Sequence, residues 1–165
     1  MTQKRRFKDA EKQRERGGFV PLPFVVLRSR SWADLSGHAV KLICDLLAQY
    51  KGDNNGDLCM AWTLMKDRGW RSRDTLGKAR EELLRGDWIT ITRQGGRHAA
   101  SLYAVTFFSI HECKGKLDVS ATGSPPSTWR KHEPVTPLKS VTRPPCQSTN
   151  DKHAQRVSEL AAHAN

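Results

Sequence analysis

The feature that most constrains this chain is a change of hydrophobic period at Trp88. Upstream, apolar residues recur every three or four positions: Ala39, Ile43, Leu46, Leu47 and Tyr50 follow Ser36, and Leu76, Ala79, Leu83 and Leu84 follow Ser72. That spacing buries one face of a helix, and serine is a residue that starts one by accepting a free N–H. Downstream, Trp88-Ile89-Thr90-Ile91-Thr92-Arg93 and Leu102-Tyr103-Ala104-Val105-Thr106-Phe107 alternate and are rich in β-branched and aromatic residues. The second run is expected to place Tyr103, Val105 and Phe107 on one face. Gln94-Gly95-Gly96-Arg97 turns the chain between them. The chain is therefore read as α+β, with a helix over 37–50, a second from Ser72 to Gly86, and a β-hairpin directly after it.

Smaller signals fill the interval. Lys51 to Asp57 is rich in residues that tolerate left-handed dihedrals and ends the first helix. The short apolar stretch Leu58-Cys59-Met60 can supply a third strand, and a compact helix from about Ala61 to Arg68 is closed by Gly69. Phe24-Val25-Val26-Leu27 is too short a run to type as helix or strand. Three helices, the last two joined by the short turn Arg68-Gly69-Trp70-Arg71-Ser72, followed by a hairpin, give the element order of a winged helix-turn-helix.

Charge separates the ends from the middle. The net charge is +11 over 165 residues. Residues 1–18 hold +4 of it, 19–113 hold +3 and 114–165 hold +4. The reading is a basic flexible arm over 1–18, a winged-helix domain over 19–113, and a largely disordered tail over 114–165. Most of the prolines lie in that tail among Ser and Thr, where little apolar surface is available for burial. Ala154, Val157, Leu160 and Ala161 mark a short helix over 151–163 that would form when docked on something.

Several residue runs carry a resemblance. They are Asn54-Asn55-Gly56-Asp57-Leu58, Arg68-Gly69-Trp70-Arg71-Ser72-Arg73-Asp74-Thr75-Leu76, Glu82-Leu83, and the wing from Thr92 through Gly95-Gly96-Arg97 to Thr106. With these, residues 19–113 resemble the winged-helix proteins of bacterial prophages, plasmids and integrated elements, including the N-terminal domain of phage replication initiators. The resemblance implies a DNA-binding protein of a mobile genetic element, acting in transcriptional regulation or replication initiation.

The helix after Ser72 suits that role. With Leu76 at the centre of its buried face, Asp74, Lys78, Glu81 and Arg85 point outward, flanked by Arg71 and Thr75. Cations early and acids late suit a recognition helix whose N-terminal end enters the major groove. Arg71 and Arg73 are candidates for a bidentate pair with guanine, at about 1–3 kcal/mol of discrimination. Ser72, Thr75 and the helix-start N–H groups suit a phosphate oxygen, and Lys78 lies one turn on. At the wing, Arg93, Gln94 and Arg97 (with His98 beside them) suit the flanking backbone, while the basic ends add sequence-independent attraction.

The same residues admit plainer roles. The cations suit a solvated face with pairs such as Lys78 to Glu82, Ser72 suits a simple cap, and Trp62, Trp70, Trp88 and Trp32 suit the core. A protein-interaction module is the main alternative function. It would dock a replication or partition partner through the hairpin and third helix, with the C-terminal tail as a second contact. An RNA-binding or toxin-like module is more distant. No enzyme is expected, because the chain has no phosphate-binding loop, no Gly-x-Ser-x-Gly and no coherent acid pair. Asp53-Asn54-Asn55-Gly56-Asp57 misplaces the glycine of a calcium loop, and His111-Glu112-Cys113 has no second ligand pair for zinc. The expectation is thus no metal, no cofactor and no small-molecule substrate, with duplex DNA as the partner. Four separated cysteines, two in apolar patterns that suggest burial, read as reduced thiols. Without a signal peptide or spanning segment, the expected place is the bacterial cytoplasm, on the nucleoid when bound.

Overall fold

The computed structural model describes residue 15, residues 17–97 and residues 99–134. Most of the 1–18 arm, His98, Cys146, the tail from 135 onward and the expected helix at 151–163 lie outside the described residues.

The described chain is α+β. Two single-turn helices, α1 (Phe24–Leu27) and α2 (Arg30–Ala33), precede α3 (Gly37–Leu47), β1 (Leu58–Cys59), α4 (Trp62–Asp67), α5 (Arg73–Arg85), β2 (Ile89–Arg93) and β3 (Leu102–Val105). Two 3-10 turns follow, at Cys113–Gly115 and Thr128–His132. The segment that could not be typed from sequence is thus one helical turn, begun after Pro23 with Val26 as its buried residue.

Ser36 and Ser72 start α3 and α5 as their positions imply. The Ser36 hydroxyl accepts from the Ala39 N–H at 3.2 Å. It also donates to Glu82 Oε2 at 2.6 Å, while the Ser36 N–H donates to Glu82 Oε1 at 2.7 Å. One carboxylate on α5 thereby fixes where α3 begins. Between the two helices lie Ala39, Leu42, Ile43 and Leu46 of α3 and Leu76, Ala79 and Leu83 of α5, all buried. Burial of each large aliphatic there contributes about 1.5–3 kcal/mol. Met65 of α4, Leu58 of β1 and Ile89 of β2 close the same core.

The sheet is three-stranded and antiparallel, in the order β1-β3-β2. Leu58 pairs with Tyr103, and Ile89 with Val105. The run from Leu102 to Phe107, whose first four residues are the central strand β3, is buried at every residue, Tyr103, Val105 and Phe107 included. A register shift between Ile91 and Arg93 interrupts the alternation of β2. It leaves Thr92 fully buried, its hydroxyl donating to the Gly56 carbonyl, and leaves Ile91 partly exposed. On the β1 edge, the Gln49 side-chain amide donates to the Cys59 carbonyl and accepts from the Cys59 N–H, each at 2.9 Å. On the β2 edge, the Asp118 N–H donates to the Thr92 carbonyl at 2.8 Å.

Asn55 ties the sheet to the chain that leaves it. Fully buried, its Nδ2 donates to the carbonyls of Val105, Phe108 and Ser109, and its Oδ1 accepts from the Val105 N–H. Its backbone N–H donates to His111 Nδ1 at 3.2 Å, and its carbonyl accepts from the His111 N–H. At this junction the His111 ring is therefore an acceptor and its backbone N–H a donor.

Residues 114–134 correct the expected boundary at 113. Trp129, only 2% exposed, stacks on Trp88 with centroids 5.0 Å apart and planes 8° apart, and Trp32 meets the same Trp88 edge-on. Backbone bonds from Ser127 to Thr106 and from Thr122 to Ile110 hold the approach, and the Thr128 hydroxyl donates to the Asp87 carbonyl. His132 Nε2 lies 3.0 Å from Asp87 Oδ2. Glu133 accepts the N–H groups of Arg30 and Ser31, so together with Ser29 it partners the first three N–H groups of α2. Proline-rich composition here accompanies a strap held by one large aromatic side chain. The thiols need a correction as well: Cys44 falls outside the α3 stripe and is exposed, while Cys59 and Cys113 are half-buried.

Candidate nucleic-acid interface

The start of α5 is set by the turn before it. Gly69, at φ +82°, reverses the chain after α4, and the Trp70 N–H closes the turn on the Met65 carbonyl at 3.1 Å. Trp70 is buried, with its indole N–H donating to Asp45 Oδ2 at 2.8 Å. Arg71 and Ser72 are thereby pushed to the surface. The Ser72 hydroxyl faces the Thr75 N–H at 3.4 Å, a long capping bond. Arg71, Ser72 and Thr75 share a cleft of about 320 Å³ with His38, Lys41 and Trp70.

The cations around this cleft differ in how they are compensated. Lys41 Nζ is 2.6 Å from Asp45 Oδ2 and lies over the Trp70 ring at 4.8 Å, and Arg68 reaches Asp45 Oδ1 at 3.4 Å. One carboxylate thus serves both. Arg71 and Arg73 have no ion-pair partner among the described residues, and the Arg73 guanidinium lies 5.4 Å from the centroid of the Trp62 ring. Lys78 is held by Asp74 at 2.8 Å, and that hydrogen bond, with the carboxylate charge, raises the Lys78 pKa above its ordinary value. The pair is almost wholly solvent-exposed, so it contributes little to stability. Lys78 does not pair with Glu82, whose carboxylate is engaged at Ser36.

The hairpin residues form a separate group. Arg93 is half-buried and its Nη2 turns back to donate to the Ala100 carbonyl at 3.1 Å. The Gln94 N–H donates to Asp118 Oδ2 at 3.0 Å, tying the hairpin to the strap. Gly95 sits where a Cβ would strike the Ser101 backbone nitrogen, and its N–H donates to the Ser101 hydroxyl. Arg97 is exposed and without an ion-pair partner among the described residues. Arg71, Ser72 and Thr75 are therefore brought into one cleft, with Arg73 and Lys78 on the same helix, while Arg93, Gln94 and Arg97 stay with the hairpin. His38 and Lys41 were missed, although their i,i+3 spacing outside the α3 stripe was there to be read.

Among the described residues no three His, Cys, Asp or Glu side chains gather as a metal site would require. Burial, and then Asp57, push the Cys113 thiol up from its ordinary pKa, which disfavours a thiolate there. Among the described residues no helix is long and apolar enough to cross a membrane. Comparison with protein-family models, with curated proteins and with solved structures finds no match for this chain.

Proposed function

We propose that this chain is a winged-helix DNA-binding protein in which α5 enters the major groove and the hairpin between β2 and β3 grips the flanking backbone. The observation that carries this reading is the pair Arg71 and Arg73. They stand at the start of α5 without carboxylate partners among the described residues, while Lys41, Arg68 and Lys78 beside them are compensated. Uncompensated cations at a helix start, next to hydroxyls, suit a polyanion whose phosphates and guanine edges need both charge and donors. The resemblance of residues 19–113 extends the proposal to a mobile genetic element, in transcriptional regulation or replication initiation.

The test is duplex-DNA binding by the whole chain across a salt series. The expected result is a steep loss of affinity with salt, a shallower slope once residues 1–18 are removed, and loss of sequence preference in Arg71→Ala/Arg73→Ala. A double variant that keeps affinity and preference overturns the role of α5. A second reading, docking of a protein partner, is favoured by the surface of α1, where Phe24, Val25 and Leu27 are 70%, 50% and 41% exposed, with the Arg28 guanidinium 4.9 Å from the centroid of the Phe24 ring. Absence of duplex binding at low salt would select it.

A further inference from the structure

We propose that Trp62 is a positioning residue for Arg73, and that Arg73 reads a base while Arg71 contacts only phosphate. This rests on the DNA-binding reading above and divides labour within it.

Trp62 opens α4 and is half-buried, packed against the hydrophobic core, so its ring is a fixed surface. Arg73 opens α5 and lays its guanidinium against that ring at 5.4 Å. An aromatic ring attracts the guanidinium charge without consuming its N–H donors as a carboxylate would. Among the described residues none of those donors is used: the Arg73 side chain has no hydrogen bond and no carboxylate partner. A planar fork held beside a fixed ring with its donors uncommitted fits the paired acceptors O6 and N7 of guanine. Holding it before binding also reduces the rotamer freedom lost on binding.

Arg71 is placed differently. It stands in the turn before Ser72, exposed, with no cation–π contact among the described residues, and lines the cleft with Ser72, Thr75, His38, Lys41 and Trp70. Charge and hydroxyl donors gathered in a shallow cleft fit a phosphate oxygen, for which a mobile cation suffices. The two arginines thus differ in preorganisation, and the ring of Trp62 makes the difference.

The experiment first selects a preferred duplex from a randomised pool with the intact chain. Affinity is then measured for that duplex and for a scrambled one of equal length, at several salt concentrations. Trp62→Ala should weaken binding to the preferred duplex about two- to fivefold, the worth of an exposed cation–π contact. Binding to the scrambled duplex and the salt slope should not change. Trp62→Phe, which keeps a ring, should retain most of the preference. Arg73→Lys keeps the charge but not the fork and should lose about tenfold or more of the discrimination, whereas Arg71→Lys should keep it. The two arginine variants leave the indole in place, so they do not depend on the fold surviving its loss. Parallel loss on both duplexes in Trp62→Ala, a Trp62→Phe that behaves like alanine, or an Arg73→Lys with intact preference each overturns the inference. So does a selection that returns no preferred sequence. Only failure of the intact chain to bind any duplex at low salt removes the DNA reading itself.

Discussion

The α3–α5 pair and the strap over residues 114–134 both pack on the sheet-bearing core, yet they do so by opposite means. α3 and α5 distribute their burial over many medium-sized side chains, each repeating the helical period. The strap concentrates its burial in one indole, Trp129, and otherwise relies on backbone bonds and two acidic side chains, Asp118 and Glu133. Distributed burial leaves a periodic trace in the sequence; concentrated burial leaves none. Pro125, Pro126 and Pro134 suit the strap because its path follows neither a helix nor a strand ladder.

That contrast can be broken at its heaviest point first. Trp129→Ala should cost about 3–5 kcal/mol in denaturant unfolding, because the cavity opens against Trp88. A loss below about 1 kcal/mol would show the strap to be a surface addition. Asn55→Ala should come next, at about 3 kcal/mol, since it orphans buried carbonyls where sheet and strap diverge. An unchanged midpoint there would mean that water replaces the amide without cost.

Glu133→Gln sharpens the comparison at the strap's far end. Burial pushes the Glu133 carboxyl up, but the hydrogen bonds from Ser31 and Arg30 outweigh it and hold its pKa below the ordinary 4.5. A depressed carboxylate stabilises the fold above its unfolded pKa and loses that contribution as pH falls through the folded value. At neutral pH the substitution should therefore cost about 1 kcal/mol, in the range of a helix-capping contact. The gap to the parent should narrow as pH falls from 4.5 and close once it has fallen through the depressed value of the folded state. A gap that persists in acid would assign the effect to packing. Smallest of all, Lys78→Ala should leave the unfolding midpoint essentially in place, because its pair with Asp74 is solvated. A clear loss would show α5 to depend on its surface charges as well as its stripe.

How much of this was legible follows from the same contrast. Ser36, Gly69 and Ser72 mark helix boundaries through local chemistry, so those boundaries stand in the sequence within a residue or two. The alternation after Trp88 gave the hairpin, and the short run at Leu58 gave the third strand. Tertiary choices were not legible. A helical projection shows that Glu82 and Lys78 are neighbours on α5, but not that Ser36 draws Glu82 away and leaves Lys78 to Asp74. It puts Arg73 in the first turn of α5 without revealing the ring of Trp62 beside it. Arg93 illustrates the limit in the hairpin: the residue type suits a phosphate, but the fold turns part of its guanidinium back onto Ala100.

The Gln49 amide has a consequence beyond its two bonds. By matching the donor and acceptor of Cys59, it occupies the place where the strand of another molecule would attach. Asp118 takes up an acceptor on the opposite border of the sheet. An open border is how small sheets polymerise, and the hazard grows with concentration. With a side chain at one border and a strap residue at the other, crowding can bring copies together without knitting their sheets into a fibre.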